Sequence, residues 1–432
     1  MKKWTQKLNF SLFTSLRTKR SEVLQSPHYG RRLPRLSVTH DTIDPMQAVK
    51  KVYVLAKIIC TRLPKFPKFR KSEVDVISNI SAFFGVIFLL STLIACEPDD
   101  ENPTPSGRYE SGVIIINEGN FTDADGSLSF YDKDSSKVSN GIFEAENGRK
   151  LFGIIQNVRF FDDQAFIVTN SDDKIEVVDA GNLESIKTIK DDIENPNDIA
   201  VVDERAYVSV WGVPNPDFTY ADPRIAIIDL NTSEVIKDIE TKEFPSGVLV
   251  VEQQVYVAIN SSDEVLVIDT ESNDVEDTIH ASLGPRSFQI DQNGKIWVMC
   301  TGTFANPAGN LVRINPSTHA IEATIPLEDQ SPNGKMAMNG AGDQLYYLSS
   351  VGYDPSTDAV FVMDIAATTA PANPVIVGTN MYGISVDPAT NTIYIADSNA
   401  FQGNGTLVRY NPDGSQIDSF GVGRGPSGFV FR

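Results

Sequence analysis

Between Pro245 and Gly284 the chain alternates short apolar runs with turn residues: Gly247–Val251, Val255–Asn260, Glu264–Ile268 and Val275–Ile279. The first three are rich in β-branched residues, as strands covered on both faces should be. Asp269-Thr270-Glu271-Ser272 supplies an Asx-type turn between the third and fourth. The unit recurs. Two residues followed by Asp or Asn close a third strand at Asp132, Asp179, Asp229, Asp269, Asn315, Asp364 and Asn411, at spacings of 47, 50, 40, 46, 49 and 47. Second strands precede them at Val113–Asn117, Ala165–Thr169, Ala206–Val210, Val255–Ile259, Ile296–Cys300, Leu345–Ser349 and Ile393–Asp397. A four-strand unit at this period predicts an all-β, seven-bladed β-propeller, since no single blade can bury its own faces.

The two ends of the repeat predict how the ring closes. The first unit starts at its second strand, Val113, and Gly425-Pro426-Ser427-Gly428-Phe429-Val430-Phe431 is a first strand with no blade behind it. That C-terminal strand is expected to pair beside Ile114 and so remove the open sheet edge at the seam.

Upstream of the repeats the pattern changes. Residues 1–95 hold 17 Lys and Arg against 5 Asp and Glu, whereas the rest holds 20 against 52, a net of −32. An acidic body of this kind disfavours nucleic acid and anionic surfaces. Residues 1–75 lack periodicity, and two readings fit them: a basic extension that binds something acidic, or a translation start placed too far upstream. Residues 76–96 contain a 16-residue apolar run, Ile80–Ala95, short for a membrane span and suited to a signal-peptide core. The run ends in Leu93-Ile94-Ala95-Cys96, which resembles the bacterial lipobox, with Cys96 as the lipidation site. Residues 97–111, rich in Pro and acidic groups, read as a flexible tether before the propeller of 112–432. Of Cys60, Cys96 and Cys300 only the last lies within the repeats, so no disulfide framework is expected.

The strand Val-Tyr-Val-Ala-Ile-Asn and the turn Pro-Ser-Gly resemble the YVTN-type β-propeller repeat. The opening Val113-Ile114-Ile115-Ile116-Asn117-Glu118-Gly119-Asn120-Phe121, followed by Gly126-Ser127-Leu128-Ser129-Phe130-Tyr131-Asp132, is similar to surface lipoproteins of the Bacteroidota that capture cobalamin. That resemblance implies a lipid-anchored protein on the outside of the outer membrane, attached through the lipid alone. It also implies a corrinoid ligand and a TonB-dependent transporter as partner.

Candidate chemistry gathers on one face of such a ring, where the loops between strands two and three meet those leading into strand one. The former carry Phe121, Trp211, Phe218, Tyr220, Phe304, Tyr353 and Phe401. Aromatic residues in polar loops point to a shared ligand face or to packing over their own blades. The turns into strand one bring Asn197, Ser246, Arg286, Asn333, Tyr382 and Ser427 toward the axis, all but Tyr382 preceded by Pro. Of these, Arg286, Asn333 and Tyr382 join the aromatics as expected ligand contacts. Amide, hydroxyl and guanidinium groups suit hydrogen-bonded recognition of an amide-rich or sugar-like ligand, or else hold channel water.

A non-enzymatic protein without cofactor or metal is expected. His280 and His319 fall at outer-rim positions, no Gly-rich phosphate loop occurs, and Asp123-Ala124-Asp125-Gly126-Ser127 reads as a polar turn more readily than a calcium loop. Two other classes remain open: a scaffold that recognises protein or glycan, and a lactonase- or lyase-type propeller enzyme.

Overall fold

The computed structural model describes residues 107–432 except 217–218, 304–308 and 352–355. The basic extension, the apolar run, Cys96 and the tether up to residue 106 lie outside the described residues.

Seven four-stranded antiparallel sheets form the seven blades. Blade 4 runs Pro245–Val251, Gln254–Ile259, Glu264–Asp269 and Val275–His280 from the axis outward, within two residues of the sequence expectation at every boundary. The innermost strands of blades 2 to 7 are Ile155–Phe161, Pro196–Val202, Pro245–Val251, Pro285–Ile290, Gln330–Met338 and Met381–Val386. Blade 1 takes Pro426–Phe431 as its innermost strand, beside Gly112–Asn117, with Ile114 opposite Val430 and Ile115 opposite Phe429. Consecutive innermost strands touch one another in cyclic order, and Pro426–Phe431 touches the innermost strands of both blade 7 and blade 2. The ring is closed by the strand that the sequence assigned to this task.

The repeat marker has a local cause. Oδ1 of Asp132, Asp179, Asp229, Asp269, Asn315 and Asp364 each accepts a backbone N–H two or three residues on, holding the turn into the outermost strand. The second strands are apolar on both faces because each is covered from both sides; Ile114, Ile167, Val208, Val257, Val298, Leu345 and Ile395 are all buried. Each such side chain contributes roughly 1.5–3 kcal/mol on burial. The core is accordingly divided into seven hydrophobic clusters, one at each interface between neighbouring blades.

The seam between blades 7 and 1 carries more than apolar packing. Arg409 of blade 7 lies 4.4 Å from the ring centre of Tyr131 in blade 1 while pairing with Asp418 on its own blade. Lys133 reaches the carboxylate of Asp387 at 2.9 Å, from blade 1 to blade 7.

Two sets of β-bulges shape the blades. Along the axis, the pairing of strands one and two shifts in every blade, leaving Gln156, Asn197, Ser246-Gly247, Arg286, Asn333-Gly334-Lys335, Tyr382 and Ser427 as the extra residues. At the rim, five outermost strands bulge at Ile186, Ile236, Glu276, Glu322 and Ile417. The rim bulges interrupt what would otherwise be flat, unpaired edges.

Candidate functional site: the polar axis of the propeller

The axial bulges explain how the sequence builds a site. A bulged residue leaves the ladder, so its side chain can turn toward the axis while its neighbours stay in the core. Six of the seven bulges carry the residues expected from sequence. The seventh, Gln156, follows Ile155 rather than Pro and so lacked the sequence marker. Nε2 of Gln156 donates to Glu118 at 3.2 Å, and Nδ2 of Asn197 donates to Oε1 of Gln156 at 3.2 Å, linking blades 1, 2 and 3 across the channel wall.

Blade 6 departs most from the pattern. Its bulge inserts three residues, Asn333-Gly334-Lys335, where the others insert one or two. Asn333 is turned to its own backbone, its Oδ1 accepting from the N–H of Lys335 at 2.9 Å. The stem of Arg286, from blade 5, lies over Gly334; a Cβ there would meet Cδ of Arg286 at 2.4 Å, and φ at Gly334 is +87°. Lys335 extends inward, its ammonium 5.9 Å from the centre of the Tyr382 ring. Burial pushes the Lys335 ammonium below its ordinary range, Arg286 and Arg159 push the same way, and Glu118 and Asp198 oppose them. Those four residues belong to blades 5, 2, 1 and 3, and the channel is the one place from which a blade 6 side chain meets them all.

Tyr382, on blade 7, stands at the centre of the group. Burial raises its hydroxyl above the ordinary range, reinforced by the nearby Glu118 carboxylate. Its ring meets that of Phe401 edge-on at 5.0 Å. Phe401 is held by an unusual backbone: Asn399, Ala400 and Phe401 have φ of +50°, +49° and +58°, three consecutive left-handed residues none of which is Gly. Nε of Arg424 donates to the Phe401 carbonyl at 2.9 Å, and the ring rests on Gly425, where a Cβ would meet it at 2.8 Å.

The structure therefore brings Arg286, Tyr382 and Phe401 together and adds Lys335, Glu118 and Gln156 to them. The other expected contacts are dispersed. Trp211 and Tyr220 pack with Phe244 at 5.4–6.0 Å between ring centres, and Nε1 of Trp211 donates to the Pro245 carbonyl at 2.8 Å. These two cover the approach to blade 4. Phe121 is 81% exposed on its loop. Phe218, Phe304 and Tyr353 lie outside the described residues. A cleft of about 230 Å³ beside the channel is lined in part by Asn333, Asp358 and Met381. A larger one, about 530 Å³, opens among the turns of blades 2 to 4 on the opposite face, away from these groups.

The Asp123–Ser127 turn is occupied by an arginine: Arg424 pairs with both Asp123 and Asp125, and Oδ1 of Asp125 accepts from the Asn120 N–H at 2.8 Å. The two histidines among the described residues lie toward the rim, His280 beside Asp263 at 3.2 Å and His319 against Asp277 at 2.7 Å.

The chain belongs to a family described as a domain of unknown function, DUF5074, whose sequence profile matches residues 111–431. No curated protein matches it. Among solved structures it is similar to a quinoprotein alcohol dehydrogenase-like protein from Bacteroides thetaiotaomicron, with 13% identity, a TM-score of 0.59 and coverage of 75% of this chain and 78% of that one. A candidate 6-phosphogluconolactonase from Bacteroides uniformis shares 10% identity at a TM-score of 0.55, over 75% of this chain and 100% of that one. A functionally unknown protein from Desulfotomaculum acetoxidans shares 12% identity at 0.52, over 74% and 99%. At such identities the likeness is one of fold.

Proposed function

We propose that this protein is a non-enzymatic, ligand-binding propeller that captures a small molecule at the mouth of its central channel, at the cell surface. The observation that carries this reading is the ring of seven axial bulges, which turns polar side chains out of the sheet ladders at one level of the axis. The strained Asn399–Phe401 turn above Tyr382 supports it, because backbone strain of this kind tends to be retained at ligand-binding positions. The lipobox at Cys96 and the acidic tether support attachment to the outer membrane through lipid alone.

A corrinoid handed on to a TonB-dependent transporter is the specific ligand that the sequence resemblance favours. Calorimetric titration of residues 107–432 with cyanocobalamin tests it. Saturable heat at micromolar concentration, abolished by Tyr382→Ala, is expected; its absence removes the corrinoid and leaves the small-molecule site to be tested with other ligands. A second reading, a scaffold for protein or glycan, draws on the exposed rings of Phe121 and Phe152, whose loops meet through the Asp125–Gly153 bridge.

A further inference from the structure

Three cationic side chains, Lys335, Arg286 and Arg159, gather in the channel of this acidic protein, with Glu118 and Asp198 as the carboxylates that act on Lys335. Asp198 is matched by Arg159 at 3.3 Å. Glu118 acts on Lys335 and on Tyr382, and already accepts from Gln156 at 3.2 Å. The cationic heads of Arg286, which is exposed, and Lys335, which is half-buried, make no hydrogen bond or ion pair with any described residue. The Arg286 stem crosses Gly334, the residue before Lys335, and Arg286 is near enough to act on the Lys335 ammonium. Two like charges held near one another favour a ligand of opposite charge, the more so at Lys335, whose cationic form burial already disfavours.

From this we infer that Arg286 and Lys335 form a binding site for a single carboxylate group carried on a flat, apolar body, which stacks against Tyr382 and Phe401. The inference rests on the ligand-binding reading and names its chemical class. A guanidinium fork matches the two oxygens of a carboxylate, and the ammonium adds a point charge from the neighbouring blade. The crossed rings of Tyr382 and Phe401 offer an aromatic wall at the same level. Glu118, which acts on both Lys335 and Tyr382, disfavours a second anionic group.

Benzoate is the probe, titrated calorimetrically into the full chain, with benzyl alcohol as its uncharged counterpart and inorganic phosphate at pH 8 as an anion without an apolar body. Benzoate should bind at least tenfold more tightly than either. Lys335→Gln and Arg286→Gln should each weaken benzoate by tenfold or more, whereas Lys335→Arg should retain most of the affinity; unchanged thermal unfolding would show that the variants fold. Equal binding of benzoate and benzyl alcohol, phosphate as tight as benzoate, or variants that bind like the parent would overturn the inference. Failure of benzoate alongside binding of cyanocobalamin that Tyr382→Ala abolishes would sink the carboxylate site alone. Failure of both would sink the corrinoid assignment with it.

Discussion

Oδ2 of Asp198 accepts the backbone N–H of Val248 at 3.0 Å, so that one carboxylate joins the innermost strands of blades 3 and 4. Its Oδ1 takes the side-chain amide of Asn157, on blade 2, at 2.6 Å. One buried side chain thus spans three blades.

Replacing that group should therefore loosen the ring where it is narrowest. Asp198→Ala strands a buried N–H and a carboxamide, and an unsatisfied buried polar group costs about 1–3 kcal/mol each. We expect a loss of about 2–4 kcal/mol in urea unfolding, with Asp198→Asn losing less because one acceptor survives. A loss below about 0.5 kcal/mol for the alanine variant would contradict this role.

The seam should weaken in acid. Burial alone would raise the Asp387 carboxyl, but Lys133 at 2.9 Å and the Ala389 N–H outweigh it and leave the group below its ordinary range. A carboxyl with a lower pKa folded than unfolded stabilises the fold above the unfolded value, about 3.9, and loses that contribution as pH falls through the folded one. Stability of the parent should drop between pH 5 and pH 3 in steps that Lys133→Met largely removes. Lys133→Met itself should cost about 2–3 kcal/mol at pH 7, since it leaves a buried carboxylate without its cation. Parallel pH profiles for parent and variant would show that the pair does not set the acid limb.

Strain above the channel can be relieved without touching Tyr382. Ala400 adopts φ +49°, which costs an L-residue roughly 1–2 kcal/mol and Gly very little. Ala400→Gly should raise stability by about 0.5–1 kcal/mol, the gain being reduced by the extra freedom of Gly in the unfolded chain. Phe401→Ala should instead leave the melting temperature nearly unchanged and weaken any ligand that stacks on Tyr382. Destabilisation by Ala400→Gly would mean that the turn is not strained.

Cys300 serves as a reporter of global opening. It is fully buried at the end of the second strand of blade 5, and burial pushes its thiol up to about 12. Residues 107–432 contain no other cysteine. Ellman's reagent at pH 8 should leave the native propeller unlabelled for hours and react stoichiometrically in unfolding concentrations of urea. Rapid labelling without denaturant would place blade 5 among the locally opening parts of the ring.

The fold was legible because its signals are local and repeated. An Asp or Asn that caps its own turn and a second strand of five or six apolar residues are visible one blade at a time, as at Asp229 and Ala206–Val210. The axial ring was legible for the same reason wherever Pro precedes the bulge, and Tyr382 was found by counting alone. The rest depends on contacts between blades. Nothing in Ile154-Ile155-Gln156 marks a bulge, and the insertion that projects Lys335 inward is readable only against the register of strand Gln344–Val351. Glu118 looked like the start of a loop, yet Gln156 and Tyr382, from two other blades, converge on it. Trp211 and Tyr220 read as ligand-face residues because they are aromatics in a polar loop, and Phe244, which packs against both, belongs to the approach of the next blade.

Pairing of Val113 with Phe431 also sets an order of events during synthesis. Until residue 431 has left the ribosome, Gly112–Asn117 presents a bare strand edge to whatever surrounds it, and the loop that must close to cover it contains almost the whole domain. Six blades can stack as they are made, but maturation waits for the last. A nascent chain of this protein is thus most vulnerable to mispairing with its siblings in the interval before that closing strand is made.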